Sequence, residues 1–149
     1  MKIDLSGIHG YPVHMRSSCP ISCALDVFGD NWSLVVLRDV VLLERRRFSE
    51  IAQNEGIATN ILSDRLNRLE EKGFIQRVAN AQDRRSKLII PTRKAIDLIP
   101  LLTDLMIFGA DHCGGKIDSE FLERAKNERE AFMQEFRSRA LSELAPAEA

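Results

Sequence analysis

Residues 56–73 read GIATNILSDRLNRLEEKG, and this stretch decides the fold. Leu62, Leu66 and Leu69 recur at i, i+4 and i+7, which places one apolar stripe along a helix expected from Thr59 to Lys72. Gly73 follows as its left-handed stop, and Gly56 breaks the chain ahead of it. At about 100° per residue, the side opposite Leu62 holds Asn60, Ser63, Asp64, Asn67, Arg68 and Glu71, with Thr59 at the N-terminal end. A helix buried on leucines on one side and bearing short polar side chains on the other has a surface to offer something.

Upstream, Phe48 to Gln53 carries Phe48, Ile51 and Ala52 on one side and Glu50 near its positive end, a short helix before the Gly56 turn. Downstream, Phe74 to Ala79 alternates apolar and polar residues and Lys87 to Thr92 holds Leu-Ile-Ile. The polar, turn-forming Asn80 to Ser86 lies between them, so the pair reads as a hairpin with a charged tip. Further out, Cys19-Pro20 opens a helix with Ala24, Leu25 and Phe28 on its apolar side and Gly29 as its stop. Ser33 is expected to cap a central helix through Val41, ended by Arg45-Arg46-Arg47. From Arg93 a helical pattern runs to His112 with a bend expected at Pro100. Gly114-Gly115 breaks it. Asp118 then caps a single last helix whose Leu122, Ala125, Phe132, Phe136 and Ala140 form a face that nothing evident in the monomer covers. That face is read as an assembly surface.

The fold class is therefore mainly α with a small β-hairpin wing: a winged helix-turn-helix domain over 19–113, preceded by an N-terminal arm over 1–18 and followed by a helical extension over 114–149 with dimerisation helices. The functional logic follows from the geometry of B-DNA, whose major groove accepts one α-helix. Thr59, Asn60, Ser63, Asp64, Asn67 and Arg68 form the recognition face, and Asn60 is the best base reader because its amide bonds the adenine edge bidentately. Arg65 and Arg68 suit the phosphate backbone. In the wing, Asp83, Arg84, Arg85 and Lys87 make a cationic tip fit for a narrow minor groove, with Asp83 expected to orient the Arg85 guanidinium. Arg45, Arg46 and Arg47 are further candidates for phosphate contacts.

The formal net charge of −1 over 149 residues conceals a segregation. Arg38 to Lys94 holds 13 Lys and Arg against 8 Asp and Glu, so the remainder is acidic. A basic middle between acidic ends fits a phosphate-facing module attached to an assembly surface. With 44% hydrophobic and 29% charged residues, the chain is neither disordered nor rich enough in long apolar runs to cross a bilayer. Met1 to Arg16 lacks the features of a signal peptide, so a cytoplasmic location is expected. Cys19, Cys23 and Cys113 are odd in number and unevenly spaced, which argues for thiols rather than a disulfide framework. With His9, His14 and His112 they show no metal-ligand spacing. No phosphate loop, paired carboxylate or nucleophile signature points to an enzyme, and no cofactor is implied.

The residues also carry a resemblance. Cys19-Pro20, Ala24-Leu25-Asp26, Gly29, Trp32, Leu37-Arg38-Asp39, Arg47-Phe48-Ser49, the run from Gly56 to Leu66, and then Leu69, Gly73 and Arg77 resemble the HxlR-type transcriptional regulators. The likeness continues to Phe108-Gly109-Ala110-Asp111-His112. The wing from Asp83 to Leu88 is similar to the related MarR-type pattern. Thr59 in place of a common proline, Pro91 before Thr92 and Ala95 for a frequent glycine depart from it.

The resemblance implies a two-fold symmetric homodimer formed through terminal helices, binding double-stranded DNA at pseudo-palindromic operators. Some regulators of this kind sense oxidants or electrophiles through a cysteine at the position of Cys19, and MarR-like proteins hold a small-molecule effector between core and terminal helices. Alternatives are a winged-helix protein-interaction module and a ligand-responsive regulator without thiol sensing.

Overall fold

The three leucines of the quoted stretch are buried in the computed structural model, which describes residues 17–144. They lie on α4 (Thr59–Glu71), where Gly73 at φ 79° ends the run in the left-handed region that an L side chain rarely adopts. Before α4 come α1 (Pro20–Phe28), α2 (Ser33–Val41) and α3 (Phe48–Glu55), and after it the strands β1 (Ile75–Ala79) and β2 (Lys87–Pro91). The strands pair antiparallel with Arg77 opposite Ile89. The chain continues as α5 (Arg93–Ile96), α6 (Ile99–His112), α7 (Ser119–Asn127) and α8 (Arg129–Ser142). The part of the expected N-terminal arm up to Arg16, and Pro146 in the tail, lie outside the described residues.

The centre of the core is α2, whose Val36, Leu37, Val40 and Val41 are fully buried. It packs against α1, β2, α5 and α6. An apolar residue in nearly every turn position suits a helix enclosed on several sides. Its N-terminus is not capped as expected. Ser33 is the first helical residue, and Asp30 supplies the cap, accepting hydrogen bonds from the Trp32 and Ser33 backbone N–H groups and from the Ser33 hydroxyl. A carboxylate has the acceptor sites to satisfy several orphan donors at once, which one hydroxyl cannot do.

Three further expectations change. Pro100 does not bend one long helix but sits in the first turn of a separate one, α6, where its missing N–H costs nothing. The last helix is two: at Glu128 the backbone leaves the helical region and α8 turns back on α7. This reversal covers the face read as an assembly surface. Ala125, Phe132, Phe136 and Ala140 are buried within the monomer, with α8 packed on α5, α6 and α7 and the rings of Phe121, Phe132 and Phe136 in contact at 5.0–6.1 Å. On α1 the apolar side is also not the one expected: Phe28 is buried, whereas Leu25 and Ile21 stand 53% and 72% exposed.

Candidate nucleic-acid interface

α3, the turn at Gly56 (φ 66°) and α4 form the helix-turn-helix. Glu50 fixes its entry, its carboxylate accepting from the backbone N–H groups of Arg46 and Arg47 at 3.0 and 3.1 Å. Those bonds, led by the one from Arg46, hold the Glu50 carboxyl below its ordinary pKa. The leucine stripe of α4 turns inward, and Thr59, Asn60, Ser63, Asp64, Asn67 and Arg68 are exposed together on the other side. Among the described residues the side chains of Asn60, Ser63 and Arg68 make no hydrogen bond, so their polar groups are available to a ligand.

Arg65 differs from its neighbours. It is half-buried, donating from Nε to Asp30 Oδ1 at 3.0 Å and pairing through Nη1 with Asp64. Its guanidinium thus locks α4 to the turn between α1 and α2. Burial pushes the Asp30 carboxyl up, but bonds from the Ser33 hydroxyl, the Trp32 and Ser33 backbones and Arg65 outweigh it and bring the pKa to about 2.

A second lock joins α4 to the wing. Glu70 accepts from the Arg77 backbone N–H at 2.9 Å and from its Nε and Nη2 at 2.9 and 2.6 Å, which lowers the Glu70 pKa, the side-chain bond foremost. The same Arg77 Nη2 donates to Asn67 Oδ1 at 2.7 Å. At the end of α4, Lys94 donates to the carbonyl of Lys72 at 2.7 Å and lies over the Phe74 ring at 4.5 Å, holding the start of the wing strand to the helix.

At the wing tip Asp83, Arg84, Arg85 and Lys87 are all exposed. The expected link between Asp83 and the Arg85 guanidinium is absent. Asp83 Oδ1 instead accepts from the Arg85 backbone N–H at 3.0 Å, the two-residue reach of an Asx turn. Both arginine side chains are left to project. The residue that builds this tip is Asn80, buried beneath it, which accepts from the Gln82 N–H at 3.0 Å and donates to the Ser86 hydroxyl at 3.2 Å. Among the triple arginines, Arg46 is structural. It bonds the carbonyl of Val40 at 2.7 Å and pairs with Glu143, distant in sequence near the end of α8, while Arg47 is exposed.

Sequence reading did not assign Asp30, Glu70, Arg77 or Asn80 to this surface. Arg77 entered only among the residues of the family resemblance, and Asn80 only as an asparagine opening a turn. Cys19, the other candidate, sits half-buried at the N-cap of α1 beside Ser17. Cys23 lies one turn on, its thiol 3.3 Å from the Ser17 carbonyl. Among the described residues no three His, Cys, Asp or Glu side chains are placed to hold a metal, and no helix is long and apolar enough to cross a membrane.

Comparison with known proteins gives the arrangement its relatives. Residues 27–116, from the end of α1 past α6, match the family model described as HxlR-like helix-turn-helix. Over 89 residues the chain is 34% identical to an uncharacterised HTH-type transcriptional regulator of Mycobacterium tuberculosis, covering 60% of this chain and 56% of that protein. The chain therefore spans little more than half the length of the curated relatives it matches. The crystal structure of PA1607, a candidate transcription factor, is 34% identical with a TM-score of 0.62, over 70% of this chain and 72% of that one. The reduced form of the transcriptional regulator YodB from B. subtilis shares the fold with a TM-score of 0.52 at 24% identity, over 66% of this chain and 98% of its own.

Proposed function

The chain belongs to the HxlR-like helix-turn-helix family, and from that premise we propose that it binds double-stranded DNA as a cytoplasmic homodimer and regulates transcription at pseudo-palindromic operators. The observation that carries this is the exposed polar side of α4, with the Asn60, Ser63 and Arg68 side chains unbonded among the described residues, joined through Arg77 to a wing whose Arg84 and Arg85 project. In this reading α4 enters the major groove, with Thr59, Asn60, Ser63 and Asn67 toward base edges and Arg68 toward phosphate, and Arg84, Arg85 and Lys87 add backbone or minor-groove contacts. Asp64 and Arg65 serve chiefly to hold the helix.

The dimer is proposed to form through α1 and α6. Leu101, Leu105 and Phe108 stand exposed at i, i+4 and i+7 on α6, and Ile21 and Leu25 at i and i+4 on α1, a quantity of apolar surface that association would remove from water.

The test is selection of bound sequences from a randomised duplex library, followed by affinity against salt concentration. Enrichment of a two-fold symmetric sequence and a steep, linear fall of log K with log salt are expected, because phosphate contacts release counterions. Duplex binding that is absent or insensitive to salt would sink the reading and favour a protein-interaction module.

Thiol sensing is a second reading, favoured by the position of Cys19. It sits half-buried at the N-cap of α1, the helix assigned to the dimer, so a bulky adduct there would disturb the seating of that helix. A thiol-selective electrophile should weaken operator binding by the wild type and not by Cys19→Ser; equal weakening of both would exclude Cys19 as the sensor.

A further inference from the structure

The α7–α8 hairpin lies beyond the stretch matched to the family, which ends at residue 116, yet its far end is fastened to the turn that enters the helix-turn-helix. Arg139 and Glu143 stand one helical turn apart, the first on α8 and the second at its C-cap, and so share a side of the helix. Facing them, two residues apart in the turn between α2 and α3, are Glu44 and Arg46. The charges match in order. Arg139 donates from Nε and Nη2 to the two carboxylate oxygens of Glu44 at 3.1 and 2.9 Å, and Glu143 Oε2 accepts from Arg46 Nε at 2.8 Å. A shift of α8 by one turn would set Arg139 against Arg46, so the two pairs together fix one register.

The turn held by this clasp is strained. Glu44 is the one non-glycine among the described residues at positive φ, 54°, a left-handed conformation that a residue with a Cβ keeps only where its surroundings enforce it. Arg46 is a junction. Its side chain is 13% exposed and bonds the Val40 carbonyl at 2.7 Å as well as Glu143. Its backbone N–H donates to Glu50 on α3 at 3.0 Å, and its carbonyl accepts from the Ile89 N–H of β2 at 2.8 Å. Ile89 is the register partner of Arg77 on β1, and Arg77 holds the amide oxygen of Asn67 on α4. A guanidinium so far removed from water has to keep its partners. The placement of Glu143 and that of the Arg46 backbone are therefore coupled.

We propose that Arg139 and Glu143 are positioning residues for DNA reading, through which the α7–α8 hairpin sets the wing strands against α4 and sharpens the base preference of Asn67. Both act through the turn at Arg46 and not by contact with DNA. As partly exposed ion pairs they add little to stability; their effect is on where the turn and the wing strand sit. The inference rests on the DNA-binding reading of α4 and the wing.

The experiment compares the wild type with Arg139→Glu, Glu143→Ala and the exchanged pair Arg139→Glu/Glu44→Arg, each as the full chain. Arg139 and Glu143 are exposed, so the single variants keep the fold. Sequence selection should show the preference at the base pair read by Asn67, the one that Asn67→Asp shifts, weakened several-fold in both single variants. The preference at the pair read by Asn60 should be kept, and the salt slope should not change, because no phosphate contact is removed. Amide exchange without DNA is the second readout: Ile89 should exchange about tenfold faster in both, with Val36 in α2 as in the wild type. The exchanged pair, whose opposite charges face one another again, should restore selectivity and protection. A merely structural role gives instead a loss spread over every base pair with faster exchange throughout; that outcome overturns the proposal, as does unchanged selectivity in both single variants. Absence of duplex binding by the wild type is a different failure: it refutes the DNA reading and the positioning role with it, while Ile89 protection still decides whether α8 holds the wing strand.

Discussion

Arg77 on the first wing strand donates to Asn67 Oδ1 at 2.7 Å while Glu70 holds the same guanidinium from the helix side. An arginine can only donate, so the amide of Asn67 must turn its oxygen to Arg77 and leave its NH2 as the outward group. A recognition-helix residue has been reduced from donor and acceptor to donor alone by a wing residue.

The base pair read by Asn67 should therefore present an acceptor, such as guanine O6 or N7 or thymine O4. Asn67→Asp keeps the bond to Arg77 but exchanges the outward donor for an acceptor, so preference at that one position should move toward the cytosine amino group. Sequence selection with the variant checks this. Arg77→Lys, which cannot reach both partners in the same fork, should broaden the preference at that position by letting the amide rotate. Unchanged selectivity in both variants would remove Asn67 from the set of base readers.

Acid should weaken the lock between α1–α2 and α4. The folded Asp30 pKa of about 2 lies below its ordinary value of 3.8, so the native state favours the ionised form. The stabilisation is complete above about pH 4 and is lost as pH falls toward 2, amounting by linkage to roughly 2 kcal/mol at most. Denaturant unfolding between pH 2 and 6 should show this slope in the wild type, and Asp30→Asn should flatten it while lowering stability at neutral pH.

Much of this was legible in the sequence because short-range rules govern it. Leu62, Leu66 and Leu69 had to share a face, Gly73 had to stop the helix, and a polar turn between two apolar runs had to be a hairpin. What failed was long-range. Nothing local marks Glu128 as the point where α8 reverses, so the face of Phe132 and Phe136 read as open although tertiary packing closes it. Arg65 and Arg46 read as phosphate ligands because the sequence cannot show that Asp30 and Glu143 come within reach across the fold.

Two exposed positions separate base reading from phosphate contact. Asn60→Ala should cost roughly 1 to 3 kcal/mol at one base pair and little on other duplexes. Arg85→Ala should weaken binding to all sequences and reduce the salt slope by about 1. Both side chains are exposed, so neither change should alter thermal unfolding. Fluorescence anisotropy at several salt concentrations, on matched and mismatched duplexes, distinguishes the two patterns.

The closing of the α7–α8 face also moves the expected site of assembly, and a pair of phenylalanines tests that. Phe132 is 2% exposed and packed between Phe121 and Phe136, whereas Phe108 is 58% exposed on α6, in line with Leu101 and Leu105. Phe132→Ala removes a ring from the core and should cost about 3–5 kcal/mol in unfolding free energy. Phe108→Lys removes no core contact and should leave intramolecular packing intact, but it places a charge on the proposed subunit interface. Sedimentation should then show a monomer for Phe108→Lys and an unchanged dimer for Phe132→Ala below its lowered melting temperature. A dimer that survives Phe108→Lys and dissociates in Phe132→Ala would return the interface to the terminal helices.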